Sequence, residues 1–311
     1  MKLVVMDRVV YLLGRAAIGL AARLPEAIGY GLAAALGRLY FRCAGRRRRN
    51  ALKFLRIALP AHSDAERRRI GAIAAGNVFK VPIDMARITR LLASGNDLLD
   101  FIDVSETLPK LPARGPFLIL SGHIGSWEMG AVTIARVLGE AHGVARTFKN
   151  PLLQAWILAN RRRAGLNIHP RRGGIRGLAK ALAAGAVGLQ VVDQHQRLRG
   201  VIAPFFGQPA SCERAAGSLA LRFGYPIVTA VALRVGVGFR FRLLAAMPFT
   251  PSVSADKQAD LLATITKVNE QLEHFIRLAP EQYLWLHDRF RAAIAANAPT
   301  LEGLADEQEG E

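Results

Sequence analysis

Short apolar runs alternate with helical patterns through the middle of the chain. The uncharged run 117–120 follows Gly115-Pro116 and predicts a buried strand, and the 3.6-residue pattern after it predicts a helix over 127–138. The same criteria predict strands over 143–147, 166–169, 187–192, 226–233 and 239–245, and helices over 151–164, 175–184, 211–223 and 254–278. This alternation is typical of an α/β fold with a mainly parallel central sheet flanked by helices.

The first 60 residues have a different pattern, in which apolar runs are separated by basic residues. They contain 12 Lys and Arg but only two acids, and no uncharged run reaches the roughly 18–20 residues of a membrane-spanning helix. Arg8 and Arg15 share one face of an otherwise apolar helix, and the run 46–49 is four arginines. This pattern predicts helices that lie in a membrane interface and contact anionic lipid. The alternative is a helical hairpin packed on its own domain.

These patterns divide the chain into three parts. Residues 1–60 form the apolar and basic membrane-associated segment, residues 61–297 the α/β domain, and residues 298–311 an acidic, disordered tail. The stretch His62-Ser63-Asp64 can cap a helix that ends near residue 75, and residues 77–92 continue with helical periodicity.

The net charge of the chain indicates which class of partner it binds. Its 42 Lys and Arg exceed 24 Asp and Glu, giving a net charge of +18 that favours an anionic partner. The basic excess lies beside apolar helices without a stacking-aromatic pattern, which favours a membrane surface over nucleic acid. Two cysteines give neither a disulfide framework nor a metal-site pattern, which favours a reducing, cytosol-facing location.

A histidine flanked by glycines follows the first strand of the predicted core. His123 and Glu128 form an H-x4-E pair, whose side chains point about 140° apart on one continuous helix. They converge only if a turn contains His123 and the helix begins after Ser126 as its N-cap. Glu128 then accepts one imidazole N–H and leaves the other nitrogen as a base. The alternative is a histidine that only hydrogen-bonds the backbone.

Further polar and aromatic residues follow the next predicted strands. Arg146 ends a strand just before Pro151, where backbone N–H groups at a helix start favour an anion site. Asp193 stands at the carboxyl end of a strand, where open α/β sheets bind ligands; the alternative is a helix-cap or turn residue. Phe205 and Phe206 come next in a loop, and they line either an apolar pocket or the core.

With these residues in place, the chain resembles the lipid A biosynthesis (late) lauroyl/myristoyl acyltransferases of the lysophospholipid acyltransferase superfamily. The resemblance extends to about residue 291. Its motifs are G-H-x-G-x-W-E at 122–128, R-x-x-x-N-P at 146–151, R-x-R-x-G at 161–165, D-Q at 193–194, F-F-G-x-P-A at 205–210 and P-E-Q-Y-x-W-x-H at 280–287.

The resemblance implies a glycerolipid acyltransferase-like fold and acyl transfer from an acyl carrier protein or CoA thioester to a hydroxyl of a membrane glycolipid. His123 is then the general base and Glu128 its orienting partner, with no metal and no cofactor besides the thioester co-substrate. The substrate-binding residues implied are Arg146, Asn150, Arg161, Arg163, Asp193, Phe205, Phe206 and Gly207. Other acceptors left open are lysophospholipid, phosphatidylinositol mannoside and ornithine or other aminolipids; a non-enzymatic membrane- or nucleic-acid-binding protein is the other alternative.

Overall fold

The computed structural model of the protein describes residues 2–198 and 200–291. The predicted tail 298–311 and the end of the predicted domain 61–297 lie outside the described residues. The helices are α1 (Lys2–Ala21), α2 (Glu26–Cys43), α3 (Gly45–Ala58), α4 (Asp64–Ser94), α5 (Trp127–Leu138), α6 (Pro151–Arg163), α7 (Gly174–Ala183), α8 (Ala215–Phe223) and α9 (Lys257–Leu278). The strands are β1 (Ile102–Asp103), β2 (Phe117–Ser121), β3 (Ala141–Ala145), β4 (Leu166–Pro170), β5 (Val187–Val191), β6 (Val201–Phe205), β7 (Gln208–Cys212), β8 (Ile227–Arg234) and β9 (Phe241–Ala245).

Seven strands form the central sheet in the order β1-β9-β8-β2-β5-β3-β4. Strands β8, β2, β5, β3 and β4 are parallel, and β9 is antiparallel to β8. The predicted α/β fold with a mainly parallel sheet is therefore confirmed. Because the parallel strands end at one edge of the sheet, the loops after β2, β3, β5 and β8 are brought together there.

The two faces of β2 supply two apolar cores. Leu118 and Leu120 point to a core that contains Phe54 of α3, whereas Phe117 and Ile119 point to a second core on the other face. Burial on both faces explains why this strand is a continuous apolar run rather than an alternating pattern.

A hairpin that the sequence did not predict lies between β5 and α8. Strands β6 and β7 pair antiparallel, so residues 211–212, which the pattern assigns to a helix, belong to a strand. Helix α8 begins only at Ala215, where the backbone N–H donates a hydrogen bond of 2.6 Å to Glu213 Oε1. Apolar periodicity alone does not separate a short buried strand from the first turn of a helix.

The N-terminal helices pack against the α/β core and also expose apolar side chains. Helix α2 buries Tyr30 and Phe41 on one face, where Tyr30 donates a hydrogen bond of 2.7 Å to buried Asp84 of α4. The packing of the helical hairpin on its own domain is therefore present, whereas contact with a membrane stays a prediction. The exposed apolar residues of α1 and α2 include Val10, Leu12, Leu13, Leu20, Ile28, Leu32, Leu36 and Leu39. Within the described part of the chain, no helix has the length and apolar character needed to cross a bilayer.

Helix α4 is longer than the sequence pattern indicates. Its N-cap is Ser63, which lies in the predicted capping stretch 62–64 and forms a reciprocal capping box with Glu66. The helix then continues through Gly76 and contains Pro82 in its interior, instead of ending near residue 75. Glycine suits position 76 because a Cβ there would lie only 3.1 Å from the backbone oxygen of Ala34 in α2.

Candidate active site

His123 lies in a tight turn between the end of β2 and the start of α5. Three backbone hydrogen bonds hold the turn: Leu284 N–H donates to His123 O at 3.1 Å, Gly125 N–H to Gln282 O at 2.9 Å, and Ser126 N–H to Ala232 O at 2.9 Å. Gly125 has a φ of 61° against the carbonyl of Ala232, a place that admits no Cβ. The predicted strand, turn and helix are confirmed, with Ser126 in the N-cap position but without a side-chain capping bond.

The carboxylate that holds the imidazole belongs to Asp193. Asp193 Oδ1 lies 2.7 Å from His123 Nδ1, and Asp193 Oδ2 accepts a 2.8 Å hydrogen bond from the His123 backbone N–H. Strands β2 and β5 are in register, with Ser121 opposite Val191, so that the residue two positions beyond each strand meets its counterpart. The sheet register therefore places this carboxylate beside this imidazole.

The environment of Asp193 keeps its carboxylate ionised. The side chain is only 2% exposed, and burial alone would raise its pKa. The charge of His123 and the two hydrogen bonds from that residue outweigh burial and lower the pKa of Asp193 below its usual value. An ionised carboxylate on Nδ1 fixes the proton there and leaves a lone pair on Nε2. The His123 side chain is 19% exposed, and Trp127 packs against its ring with centroids 4.9 Å apart.

The predicted pairing of His123 with Glu128 is wrong. Glu128 forms a two-point ion pair with Arg161 of α6, in which Arg161 Nε donates to Glu128 Oε2 at 3.1 Å and Nη2 donates to Oε1. Both side chains are largely buried, at 15% exposure for Arg161 and 7% for Glu128. A buried carboxylate in the first turn of α5 needs a cation, and the planar guanidinium supplies it. Arg161 is thus occupied by Glu128, whereas the sequence assigned it to substrate.

Breaking this pair is expected to destabilise the fold. Glu128→Gln leaves the Arg161 guanidinium without its counter-charge in a buried place, so the free energy of unfolding should fall by about 3–5 kcal/mol. Combining Glu128→Gln with Arg161→Gln should cost less than the sum of the two single changes, because the second removes the stranded charge. Urea unfolding of the three variants measures this coupling. Additive losses would contradict a mutual ion pair.

The other predicted binding residues have separate positions. Asn150 is the N-cap of α6: its Oδ1 accepts from the N–H groups of Leu152 and Leu153 at 3.0 Å, and its Nδ2 donates to Asp7 O of α1 at 2.9 Å. Its side chain is therefore used in the fold, contrary to the predicted role in binding substrate. The prediction that Pro151 takes the first helical position is confirmed.

The two remaining arginines lie toward opposite edges of the sheet. Arg146 directly follows β3, so it is exposed at the edge that carries His123. Arg163 ends α6 shortly before β4 starts, and the register of β4 with β3 places it toward the amino-terminal edge. Neither side chain hydrogen-bonds another residue within 2–198 and 200–291.

The Phe-Phe-Gly motif forms a hairpin turn above the core. Phe206 and Gly207 have φ angles of 50° and 73°, the left-handed pair expected of a two-residue turn between β6 and β7. Phe205 and Phe206 are buried and both pack on Phe54, with ring centroids 6.0 Å away. Of the two sequence interpretations, the structure supports core residues for Phe205 and Phe206, whereas substrate binding by the exposed Gly207 stays a prediction. The two rings pack against α3 through Phe54.

The sequence analysis included Gln194 and residues 280–287 in family motifs but assigned them no role in the site. Gln282 connects the turn that contains His123 to β8. Its backbone oxygen accepts from Gly125 N–H, and its side chain accepts from Arg234 N–H at 2.8 Å and donates to Arg234 O at 3.0 Å. His287 Nε2 accepts from the His195 N–H at 2.9 Å, and Gln194 Nε2 lies 3.4 Å from His123 Nε2. For Gln282 and His287, the only signal in the sequence was a cluster of polar residues among apolar ones near the C-terminus.

His287 should make the fold sensitive to acid. Burial lowers the pKa of His287 from 6.5 to about 4, because it disfavours the charged ring, and the neutral ring accepts the hydrogen bond from His195. Between those pH values the unfolded chain binds a proton that the folded chain excludes, so the free energy of unfolding falls as the pH is lowered through this window. The loss approaches about 3 kcal/mol and is absent above pH 6.5. Urea unfolding at pH 7.5 and pH 4.5 should show a smaller difference for His287→Asn than for the unchanged protein; equal differences would contradict this assignment.

The geometry suits a general base more than a metal centre. His123 presents Nε2 with a lone pair toward solvent, and Asp193 stabilises the imidazolium that forms when Nε2 takes a proton. In the described part of the chain no group of three or more His, Cys, Asp or Glu side chains is arranged to hold a metal ion.

Comparison with known proteins places this site in a family. The sequence profile of "Bacterial lipid A biosynthesis acyltransferase" matches residues 2–292. The chain is 27% identical over 297 residues to the lipid A biosynthesis lauroyltransferase of Escherichia coli K12, covering 90% of each chain. It is 26% identical over 286 residues to the lipid A biosynthesis myristoyltransferase of the same strain, covering 88% of this chain and 84% of that one.

A solved structure is also similar, at a lower level. It is the 1-acyl-sn-glycerophosphate (LPA) acyltransferase PlsC from Thermotoga maritima, with a TM-score of 0.34 and 13% identity over 85% of this chain and 97% of that one. The fold assignment rests on the strand order described above. The family match confirms both the resemblance found in the sequence and the expectation of an enzyme. This chain belongs to the bacterial lipid A biosynthesis acyltransferases.

Proposed function

We propose that this enzyme transfers a fatty acyl group from the thioester of acyl carrier protein or CoA to a hydroxyl of a lipid A precursor, with His123 as general base. The observation that carries the proposal is the 2.7 Å contact between His123 Nδ1 and Asp193, which leaves the lone pair on Nε2 at the sheet edge. The family match and the names of the two Escherichia coli relatives support the acceptor class.

The reaction follows from this geometry. His123 Nε2 takes the proton of the acceptor hydroxyl while its oxygen attacks the thioester carbonyl carbon. The tetrahedral intermediate collapses, the C–S bond breaks, and the leaving thiolate takes the proton back from the imidazolium. Asp193 holds the ring and stabilises its charge, and it is not itself protonated. No acyl-enzyme is required, so donor and acceptor bind together before reaction.

Arg146 is the arginine best placed to bind an acceptor or donor phosphate. It is exposed at the edge that carries His123, whereas Arg161 is paired with Glu128 and Arg163 lies toward the other edge. A guanidinium binds phosphate oxygens through two N–H donors, which a lysine does not reproduce.

A direct test incubates the purified enzyme with a labelled acyl thioester and a lipid A precursor. The expected product is the precursor heavier by one acyl chain, identified by mass spectrometry. Parallel reactions with lysophospholipid, phosphatidylinositol mannoside and ornithine lipid test the other acceptors. Acylation of one of these in place of the lipid A precursor would contradict the proposed acceptor.

The same proposal includes attachment to the cytoplasmic face of the inner membrane through α1 and α2. Their outward apolar residues, such as Leu32 and Leu36, lie on helices that also carry Arg15 and Arg38. An apolar face flanked by arginines suits insertion among anionic headgroups.

Introducing charge into this face is expected to release the enzyme from membranes. Leu32→Asp with Leu36→Asp should lower partitioning onto vesicles of phosphatidylethanolamine and phosphatidylglycerol by at least about tenfold, because each exposed leucine contributes roughly 1–2 kcal/mol when buried in lipid. Leu278→Asp, at the exposed end of α9, serves as the control and should leave partitioning unchanged. Point variants are preferable to deletion, since α2 packs on α4. If all variants sedimented equally with the vesicles, this apolar face would be excluded as the membrane contact.

A further inference from the structure

We propose that Gln194 is a further catalytic residue, whose side-chain amide donates a hydrogen bond to the thioester carbonyl oxygen as negative charge develops on it. This inference rests on the proposed function, because it needs His123 to be the base of an acyl transfer. The observation behind it is the 3.4 Å separation between Gln194 Nε2 and His123 Nε2.

The tautomer of His123 decides which end of the Gln194 amide faces the ring. Asp193 holds the proton on Nδ1, so Nε2 carries a lone pair and attracts an N–H group. If the amide were reversed, its carbonyl oxygen would face His123 Nε2, and both atoms are hydrogen-bond acceptors. Gln194 therefore directs a donor to the point where the acceptor hydroxyl must approach.

The contact is weak enough to be exchanged for substrate. A separation of 3.4 Å is at the long limit of a hydrogen bond, and the Gln194 side chain is exposed. When the acceptor hydroxyl occupies Nε2, the amide is displaced by about the size of one oxygen atom. Its N–H groups then face the carbonyl that the hydroxyl attacks.

The backbone that carries Gln194 is fixed on both sides. Asp193 before it is held by His123, and His195 after it donates its N–H to His287 Nε2 at 2.9 Å. The next residue, Gln196, donates its N–H to Ser211 O at 3.1 Å. The fixed backbone limits reorganisation of the donor to a rotation of the Gln194 side chain, which favours the stabilisation of an oxyanion.

The step involves no proton transfer to or from Gln194. As the acceptor oxygen bonds to the carbonyl carbon, the π electrons of the C=O bond move onto oxygen, and the Gln194 N–H donates to that oxyanion. When the C=O bond re-forms, the thiolate leaves with the C–S electrons and takes the proton from the His123 imidazolium. One donor of this kind typically contributes about 10²–10³ in rate.

Steady-state kinetics of Gln194→Leu and Gln194→Glu test the inference, using the full-length enzyme with an acyl thioester and a lipid A precursor. Both variants lack the N–H donor, so kcat should fall by about 10²–10³ while KM for each substrate stays nearly constant. Gln196→Glu is the matched control on the same loop. Its side chain accepts from Arg171 at 2.7 Å, a contact that a carboxylate retains, and its kcat should be unchanged.

Three results would overturn the inference. An unchanged kcat in Gln194→Leu would exclude a catalytic role. A raised KM for the acceptor with kcat preserved would assign Gln194 to acceptor binding. A shift of the acid limb of the pH–kcat profile in Gln194→Leu, with the maximal rate preserved, would mean that Gln194 only tunes His123. Activity that survives Gln194→Leu but not His123→Ala overturns this inference alone, whereas activity that survives both overturns the proposed function.

Discussion

His123→Ala is expected to lower kcat for acyl transfer by about 10²–10⁴ while the protein stays folded, because an alcohol is a poor nucleophile until a base takes its proton. The ring lies at the sheet edge and is partly exposed, so its removal leaves no large cavity in the core. Radioactive acyl transfer to the lipid A precursor, measured at saturating donor and acceptor, gives the change directly. His274→Ala, at an exposed position of α9, is the matched control and should retain full activity.

A contradictory result for His123 would be simple to recognise. If His123→Ala transferred acyl groups at the original rate with an unchanged unfolding transition, another group would have to be the base. If the variant were inactive but unfolded, His123→Gln would separate the two effects, since glutamine approximates the size of histidine without a basic nitrogen.

Asp193→Asn is expected to lower kcat almost as far as His123→Ala, by about 10²–10⁴. An amide at this position can donate to Nδ1, which moves the imidazole proton to Nε2 and removes the base. It also loses the charge that stabilises the imidazolium. Because the two residues act as one unit, the double variant should be no slower than His123→Ala alone.

Glu128→Gln provides the contrast for Asp193→Asn. Glu128 contacts Arg161 and not the imidazole. Glu128→Gln should therefore mainly lower the free energy of unfolding, whereas kcat should change little when it is measured under conditions in which the variant is folded. Equal losses of kcat for Glu128→Gln and Asp193→Asn in fully folded samples would contradict the assignment of Asp193 as the partner of His123.

The sequence predicted the elements of the core because their signals are local. The apolar run before His123 and the amphipathic helix after it are set by neighbouring residues, and both appear where they were expected. Glycine at position 125 permits the positive φ of the turn between them, but the hydrogen bonds that hold this turn come from distant residues of the chain.

The partner of His123 could not be predicted in the same way. Glu128 is five residues away in sequence, whereas Asp193 reaches the imidazole only because β5 is the neighbour of β2 in the matching register. The periodicity of a single sequence identifies individual strands, but it does not show which strands are neighbours, because strand order depends on how the helices cover the sheet. Asp193 was recognised as a residue at a strand end, but not as the residue that holds the base.

The Phe-Phe-Gly hairpin was misassigned for a related reason. Two adjacent aromatic residues in a loop suit either a ligand pocket or a core, and the decision depends on what lies beneath them. Here Phe54 of α3 occupies that space, and its own helix comes from the segment predicted to lie at the membrane. The contact joins residues about 150 positions apart, which no local pattern reports.

The protonation of the His123 ring is the most direct test of the mechanism. Nitrogen-15 NMR of the histidine-labelled enzyme at pH 7.5, with His123→Gln used to identify the signal, distinguishes the two ring nitrogens. The arrangement with Asp193 predicts a proton on Nδ1 and an unprotonated Nε2, with the order reversed in Asp193→Asn. A proton on Nε2 in the unchanged enzyme would contradict the role of His123 as the base.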